Sequence, residues 1–426
     1  MNNKNNVFLF GAGAVLDWGG PLTSQLTSHI RKIGFTVKGS SQKITDYIFQ
    51  ALLKNGYEES EINFETIINV IEELAIYFSE FNGKSNTPSL LRVFVTGDKI
   101  KNVFDFGIKG GQRKHAYTLE VPNGKEYEFS NYALNNENPY QFYLQHLLAE
   151  ILSAISSLIS EYSYHTNSHS VVDTNTENSI NFQKWIKGIE ACKTLRLYTL
   201  NYDRVFKILI DNTGIDCFEG FASTGESEDM KGLRCNIKKI IEDNNINVHY
   251  NLHGSAFWRV VPSNFTQLPS PEIVFTGVPN LQLNDEITNL QMEKGKPLYL
   301  TNIITGFQKA QKSLLSPFKQ MQFSFERDCL ETEKLYIIGY SFGDEHINQC
   351  IKNALRYNIN LKIEIVDPDF INKDMDYLLS ITLFQYLENE FITPQKVGEN
   401  KFSYFGGIVT VYTLKFSEYL KLKTEN

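Results

Sequence analysis

The sequence predicts an α/β fold, a doubly wound parallel sheet carrying a mainly helical insertion. Three observations predict it. Residues 7–11, VFLFG, are a short apolar run ended by glycine, the pattern of a strand buried on both faces. A turn-like stretch runs on through Pro21 and a helical pattern follows over 22–33, so the chain opens as strand, glycine turn, helix. Four further short apolar runs end on a polar or glycine signal: 195–200 (LRLYTL), 247–252 (NVHYNL), 335–339 (LYIIG) and 362–366 (KIEIV). Together these runs predict a parallel sheet whose strand ends all carry candidate site residues, and ligands of such sheets bind outside the carboxyl ends of the strands.

Between the first two strands the pattern changes. Residues 41–82 read as helical: Asn63 can cap a helix, and Phe64, Ile67, Ile68, Ile71, Leu74, Ala75 and Phe78 recur at helical spacing. Residues 84–140 are polar, punctuated by glycine and partly strand-like (LRVFVTG, HAYTLEV), whereas 141–162 return to helix and 163–181 read as a polar loop. The expected organisation is an α/β core over 1–40 and 185–370. A mainly helical insertion occupies 41–184, with a partly β segment near 84–140. A C-terminal extension over 368–426 adds a helix and a strand (GGIVTVYTL).

Composition narrows the function. The chain of 426 residues is 42% hydrophobic, enough to bury a sizeable core, and its formal net charge of -8 with no long basic run argues against nucleic acid as the main ligand. The five cysteines (192, 217, 235, 329 and 350) include no C-x-x-C pair, so no structural zinc ribbon is expected, and the scatter fits reduced thiols in a cytoplasmic protein. The start, MNNKNN, does not fit a signal peptide. The most apolar long stretch, 143–159, is interrupted by Gln145, His146 and Glu150, and reads as a buried helix rather than a membrane span.

Five motifs sit at the expected strand ends. Gly11-Ala12-Gly13-Ala14, followed by Gly19 and Pro21, can let backbone approach a pyrophosphate at a helix start, or can serve packing alone. Leu16 stands where a dehydrogenase fingerprint wants its third glycine, and no acidic residue lies within 31–38, which disfavours hydride transfer. In Thr199-Leu200-Asn201-Tyr202-Asp203 a carboxamide and a carboxylate two residues apart can face one ligand, or can end the strand as an Asx turn. His253, in Leu252-His253-Gly254-Ser255, can serve as a general base near neutral pH or cap a turn. Ile337-Ile338-Gly339-Tyr340-Ser341-Phe342-Gly343-Asp344 can hold phosphate or ribose oxygens, or simply start a capped helix near Asp344, and His346 within it reads as structural. Asp367, in Ile365-Val366-Asp367-Pro368, suits a ribose or adenine edge.

Taken in order, G-A-G-A-(x4)-G-x-P, T-L-N-Y-D, L-H-G-S, I-I-G-Y-S and I-V-D-P resemble the sirtuin family, and in particular the sirtuin-like NAD hydrolases of bacterial antiphage defence. The likeness spans about 7–35, 185–260 and 300–370. Asn63-Phe64-Glu65 and the stretch 305–317 are also similar to the defence subgroup. The resemblance implies a Rossmann-like sirtuin core with NAD+ as substrate. It places Gly11, Ala12, Gly13 and Pro21 on the nicotinamide-ribose and pyrophosphate side. Asn201 would orient the reacting ribose or the attacking water, Asp203 would accept from the nicotinamide amide, and His253, with Gly254 beside it, would be the general base. Gly339, Ser341 and Asp367 would hold the phosphates and the adenosine ribose. Deacylase sirtuins follow the proline with Asp-Phe-Arg, where this chain has Leu22-Thr23-Ser24, and carry four zinc cysteines, which are missing here. Residues 273–277 only faintly echo the strand with which deacylases pair an acylated peptide.

What the resemblance implies is therefore an NAD+ glycohydrolase of abortive antiphage defence, with no zinc and no metal ligands, giving ADP-ribose or its cyclic form. An NAD-dependent protein deacylase and a non-catalytic NAD or ADP-ribose sensor are the competing readings. A free NAD hydrolase would poison its own cell, so restraint is expected through homo-oligomer assembly and a partner, such as a HerA-type ATPase or a nucleotide-processing subunit. The segments 84–140 and 368–426 are the expected contact surfaces.

Overall fold

The computed structural model describes residues 5–37, 40–77, 107–110, 116–120, 126–130, 139–164, 170–221, 232–261, 271–279, 288–293, 296–306, 308–370 and 395–425. From the N-terminus come β1 (Asn6–Phe10), a 3-10 segment (Ala12–Trp18), α1 (Thr23–Ile30), α2 (Ile44–Lys54) and α3 (Phe64–Tyr77). Then follow β2 (Gly107–Gly110), β3 (Ala116–Glu120), β4 (Glu126–Ser130), α4 (Pro139–Ser163), α5 (Glu177–Glu190), β5 (Leu195–Thr199) and α6 (Val205–Asp211). The middle of the chain holds β6 (Leu233–Arg234), α7 (Ile237–Ile241), β7 (Val248–Asn251), β8 (Trp258–Val261), β9 (Glu272–Phe275), β10 (Thr288–Glu293) and β11 (Lys296–Leu300). Last come α8 (Lys309–Lys312), α9 (Phe318–Glu331), β12 (Lys334–Ile338), α10 (Glu345–Tyr357), β13 (Lys362–Val366), β14 (Gln395–Gly398), β15 (Lys401–Tyr404), β16 (Val409–Tyr412) and α11 (Phe416–Thr424).

All five expected strands lie in one eight-stranded sheet of order β14-β15-β16-β13-β12-β1-β5-β7. Six of the sheet's eight strands, β16 through β7 in that order, are mutually parallel. From the central β1 the chain steps outward to β5 and β7, then returns to β12 and steps the other way to β13 and β16. This is the doubly wound, Rossmann-like arrangement, and its switch point lies between β1 and β12. The sequence of β1 shows why both faces must be covered. Val7 and Leu9 point into one apolar cluster, shared with α1, α3 and α4. Phe8 and Phe10 point into the other, shared with α5, α6 and α11. In that second layer Phe10 stacks on Phe206 at 4.2 Å, and Phe8 stacks on Tyr336 at 4.8 Å.

The insertion contributes α2, α3, α4 and a three-stranded antiparallel sheet, β2-β3-β4, whose middle strand falls in the strand-like run HAYTLEV. The run LRVFVTG and Phe78 lie outside the described residues. Asn63 does cap α3, its side-chain oxygen accepting from the Thr66 N–H at 3.0 Å. The apolar stretch 143–159 lies within α4, whose buried leucines and isoleucines join the first cluster. No described helix is long and apolar enough to cross a membrane.

Two expectations need correction. The stretch 163–181 is not loop throughout, because α5 starts at Glu177, where Thr176 caps it by accepting from the Ser179 N–H. The C-terminal extension holds more than one strand. β16 joins the parallel set, and the polar hairpin β14–β15 extends the sheet edge antiparallel to it. That hairpin has too few apolar residues to show in a hydrophobic pattern.

Candidate functional site

A cavity of about 1090 Å³ opens at the carboxyl ends of the parallel strands, over the switch point. The β1 turn supplies Gly11, Ala12, Gly13 and Pro21 to its wall. The other strand ends supply Asn201, Asp203, His253, Gly339, Ser341 and Asp367. Helices outside the sheet complete it: α3 through Glu65, α4 through Tyr162, and α11 through Phe416. Of the eleven residues singled out above, Gly254 alone is not on the wall. It sits at φ +82°, and a Cβ there would come within 2.2 Å of the Asn302 carbonyl oxygen. Gly254 therefore lets the loop at 302–303 pack behind His253 and is not itself placed to touch a ligand.

The glycine turn shapes the floor. A Cβ on Gly11 would lie 2.4 Å from the Gly339 carbonyl oxygen, and one on Gly339, where φ is +61°, would lie 2.3 Å from the Ala14 nitrogen. The glycines that face one another across the switch point are thus required by backbone packing. The N–H groups of Gly11, Gly13 and Ala14 already donate to the carbonyls of Ile338, Gly339 and Gly11. The turn contributes space to a ligand more than hydrogen-bond donors.

The β5 end is held in place by residues the motif reading did not single out. The Asn201 N–H donates to the Thr199 hydroxyl at 3.0 Å, and its carboxamide donates to the Gly11 carbonyl at 3.0 Å. Asn251, the last residue of β7, donates from its side chain to the carbonyls of both Asn201 and Asp203. Asp203 is an Asx turn as well as a wall residue. One of its oxygens accepts from the Val205 N–H at 2.9 Å, starting α6, and the other accepts from the Tyr162 hydroxyl at 3.0 Å. Burial raises its pKa to about 6, against the pull of these donors.

His253 is 3% exposed and lies two residues past the end of β7. Burial, helped by the nearby Lys309 charge, holds its pKa well below the ordinary imidazole value, so it is a neutral base at physiological pH. Its Nε2 lies 3.3 Å from Nε2 of His346 and 3.9 Å from an Asp344 carboxylate oxygen. His346, read from sequence as structural, is therefore in direct contact with the candidate base. Asp344 is in turn paired to Lys309 at 2.5 Å, and Lys309 donates to both oxygens of Glu65 at 3.1 Å. Two turns further along α3, Glu72 pairs with Lys312 at 2.6 Å, with both side chains buried. The two stretches that resembled the defence subgroup, Asn63-Phe64-Glu65 and 305–317, are thus joined in space by the Glu65–Lys309 pair, and the Glu72–Lys312 pair ties the second stretch to α3 beyond it. The loop between β12 and α10 carries Phe342 at φ +60°, in the left-handed region that costs a non-glycine residue about 1–2 kcal/mol. The Asn348 side chain offsets that cost by donating to the Phe342 carbonyl and accepting from the Tyr340 hydroxyl.

No protein-family model matches the chain, and its sequence matches no curated protein. The functional reading therefore rests on the residues and their geometry.

Proposed function

We propose that this chain is an NAD+ glycohydrolase that breaks the bond between nicotinamide and ribose. The observation that carries this reading is the convergence of Asn201 and His253 on one cavity over the switch point of a Rossmann-like sheet, beside the Gly11–Gly13 turn and Asp367. Dinucleotides bind at such switch points. The cavity volume, about 1090 Å³, lies just above the roughly 300–1,000 Å³ typical of small-ligand sites, which suits a ligand of dinucleotide size. The leaving group needs little help, because the nicotinamide ring nitrogen is cationic in NAD+. The protein has to position the ribose and supply one water in line. Asn201 can orient that water or a ribose hydroxyl without adding charge. His253 takes a proton as the water oxygen bonds to the ribose carbon and the electron pair of the broken bond leaves with nicotinamide. Asp344, 3.9 Å away, favours the imidazolium that forms.

A deacylase is the weaker reading. The strand that echoes the peptide-pairing strand of deacylases, β9, has both edges occupied, by β6 and β8. An added peptide would have to displace β6 or β8 at Val274 and Phe275. The defence role, the restraining partner and the choice between ADP-ribose and its cyclic form are part of the proposal by resemblance only.

The test is chromatographic product analysis of NAD+ incubated with the purified full chain, without any acylated peptide. Nicotinamide and ADP-ribose (or its cyclic form) are expected. Asn201→Ala and His253→Ala should each lose about 10²–10⁴-fold in rate while the far-UV circular dichroism stays as in the parent. Full activity in either variant would overturn the assignment, and binding of NAD+ without turnover would favour a sensor.

A further inference from the structure

We propose that His253, His346 and Asp344 form a site for one divalent transition-metal ion of the zinc class, and that filling it turns off the hydrolase. The second half rests on the role given to His253 above; the first half does not.

The donors converge from two places, the end of β7 and the start of α10. Their ligating atoms all lie within 4.8 Å of one another. The two imidazoles meet edge to edge, Nε2 to Nε2 at 3.3 Å, with the rings neither stacked nor perpendicular at 40°. An ion bound tetrahedrally by two imidazoles at about 2.0–2.1 Å separates their nitrogens by about 3.3–3.4 Å. One edge of the coordination shell is therefore already at its proper length. The His253–Asp344 edge, at 3.9 Å, has to close by roughly half an ångström to reach the same figure.

The Asp344 side chain is not tied to its own helix. It stands at the N-cap of α10 but makes no capping hydrogen bond to that helix, and turns instead toward His253 and Lys309. Charge also favours a cation. Glu65 and Asp344 place two carboxylates around the single Lys309 ammonium, which leaves one negative charge beside two imidazoles. Both His253 and Asp344 line the cavity, so an ion held by these three side chains keeps an open position toward it. With a metal on Nε2 of His253 the ring's proton sits on the other nitrogen, and the imidazole has no lone pair left with which to take a proton from water.

The decisive measurement is titration of the metal-free full chain with Co2+, followed by visible absorption and competed with Zn2+. One ion per chain with tetrahedral-type bands is expected. His346→Gln should bind at least about 10-fold more weakly, since removing a ligand costs no less than removing its outer partner. Lys309→Met removes the ammonium that competes for Asp344 and should bind more tightly than the parent, a gain that misfolding cannot imitate. Absence of saturable binding in the parent, or an unchanged spectrum in His346→Gln, overturns the site. In the activity arm, Zn2+ should suppress nicotinamide release and a chelator should restore it. Zn2+-saturated protein that turns over NAD+ at the metal-free rate overturns the switch. A parent that binds Co2+ yet never releases nicotinamide, with or without chelator, upholds the site and overturns the hydrolase reading instead.

Discussion

Asp203 shows how one side chain can serve a turn and a site together. Its carboxylate starts α6 and lines the cavity, yet it is 3% exposed and its pKa is raised from 3.8 to about 6. A rise of that size corresponds to about 3 kcal/mol of stability. Because the folded state holds the proton more tightly, that contribution is fully present below about pH 4 and is lost as pH rises through about 6. Asp203→Asn keeps the acceptor for the Val205 N–H and removes the buried charge. The variant should therefore gain stability over the parent at pH 8 and show little or no gain at pH 4, read as the difference in thermal midpoint at each pH. A difference that does not change with pH would show that the Asp203 charge is not the source. The Asx-turn reading of the T-L-N-Y-D motif and the ligand-facing reading turn out to be compatible, because the turn is what aims the residue at the cavity.

At the scale of elements, β5 is pinned by an ion cluster that has no part in the cavity. Arg196, the second residue of β5, is fully buried and pairs with Asp328 of α9 and with Asp243 at 2.9 Å. Its guanidinium also donates to the backbone carbonyls of Asp243 and Ile246. Removing one member of a buried set leaves the rest uncompensated, at a cost of about 3–5 kcal/mol. Arg196→Met should lower the free energy of urea unfolding by that amount, and a loss below about 1 kcal/mol would show the cluster to be dispensable. The same scale shows where sequence reading stops. The five strands were legible because each is a short, almost wholly buried run closed by a polar or glycine signal, and α3 was legible from its spacing and from Asn63. The Glu65–Lys309 pair was not, because its partners are 244 positions apart and each reads locally as a solvated charge on a helix. The contact of His346 with His253 was hidden for a related reason, because the two are 93 positions apart and nothing local to α10 marks it.

For the whole molecule, the cavity is walled by the sheet ends, the insertion helices α3 and α4, and the start of α11. A ligand seated there touches all three parts of the chain, so binding should stabilise them together. NAD+ at about 100 times its dissociation constant should add about 2.7 kcal/mol. In His253→Ala, which is expected to bind but not to turn over, the thermal midpoint should rise with NAD+ concentration as one cooperative transition. A midpoint indifferent to NAD+ would count against the cavity as its site.

The sequence by itself determined the doubly wound sheet and the residues at its strand ends, because burial on both faces and chain reversal leave local marks. It also limited the metal question to what cysteine spacing can show. Only the tertiary structure decided what those residues face. Gly11, Gly13 and Gly339 prove to be required by one another across the switch point, Gly254 packs behind the site, and His253 meets His346 and Asp344 in a cluster that no spacing announces. The reason is physical. Hydrophobic periodicity is a property of one segment, whereas a site is a meeting of side chains whose distance depends on how separate segments pack.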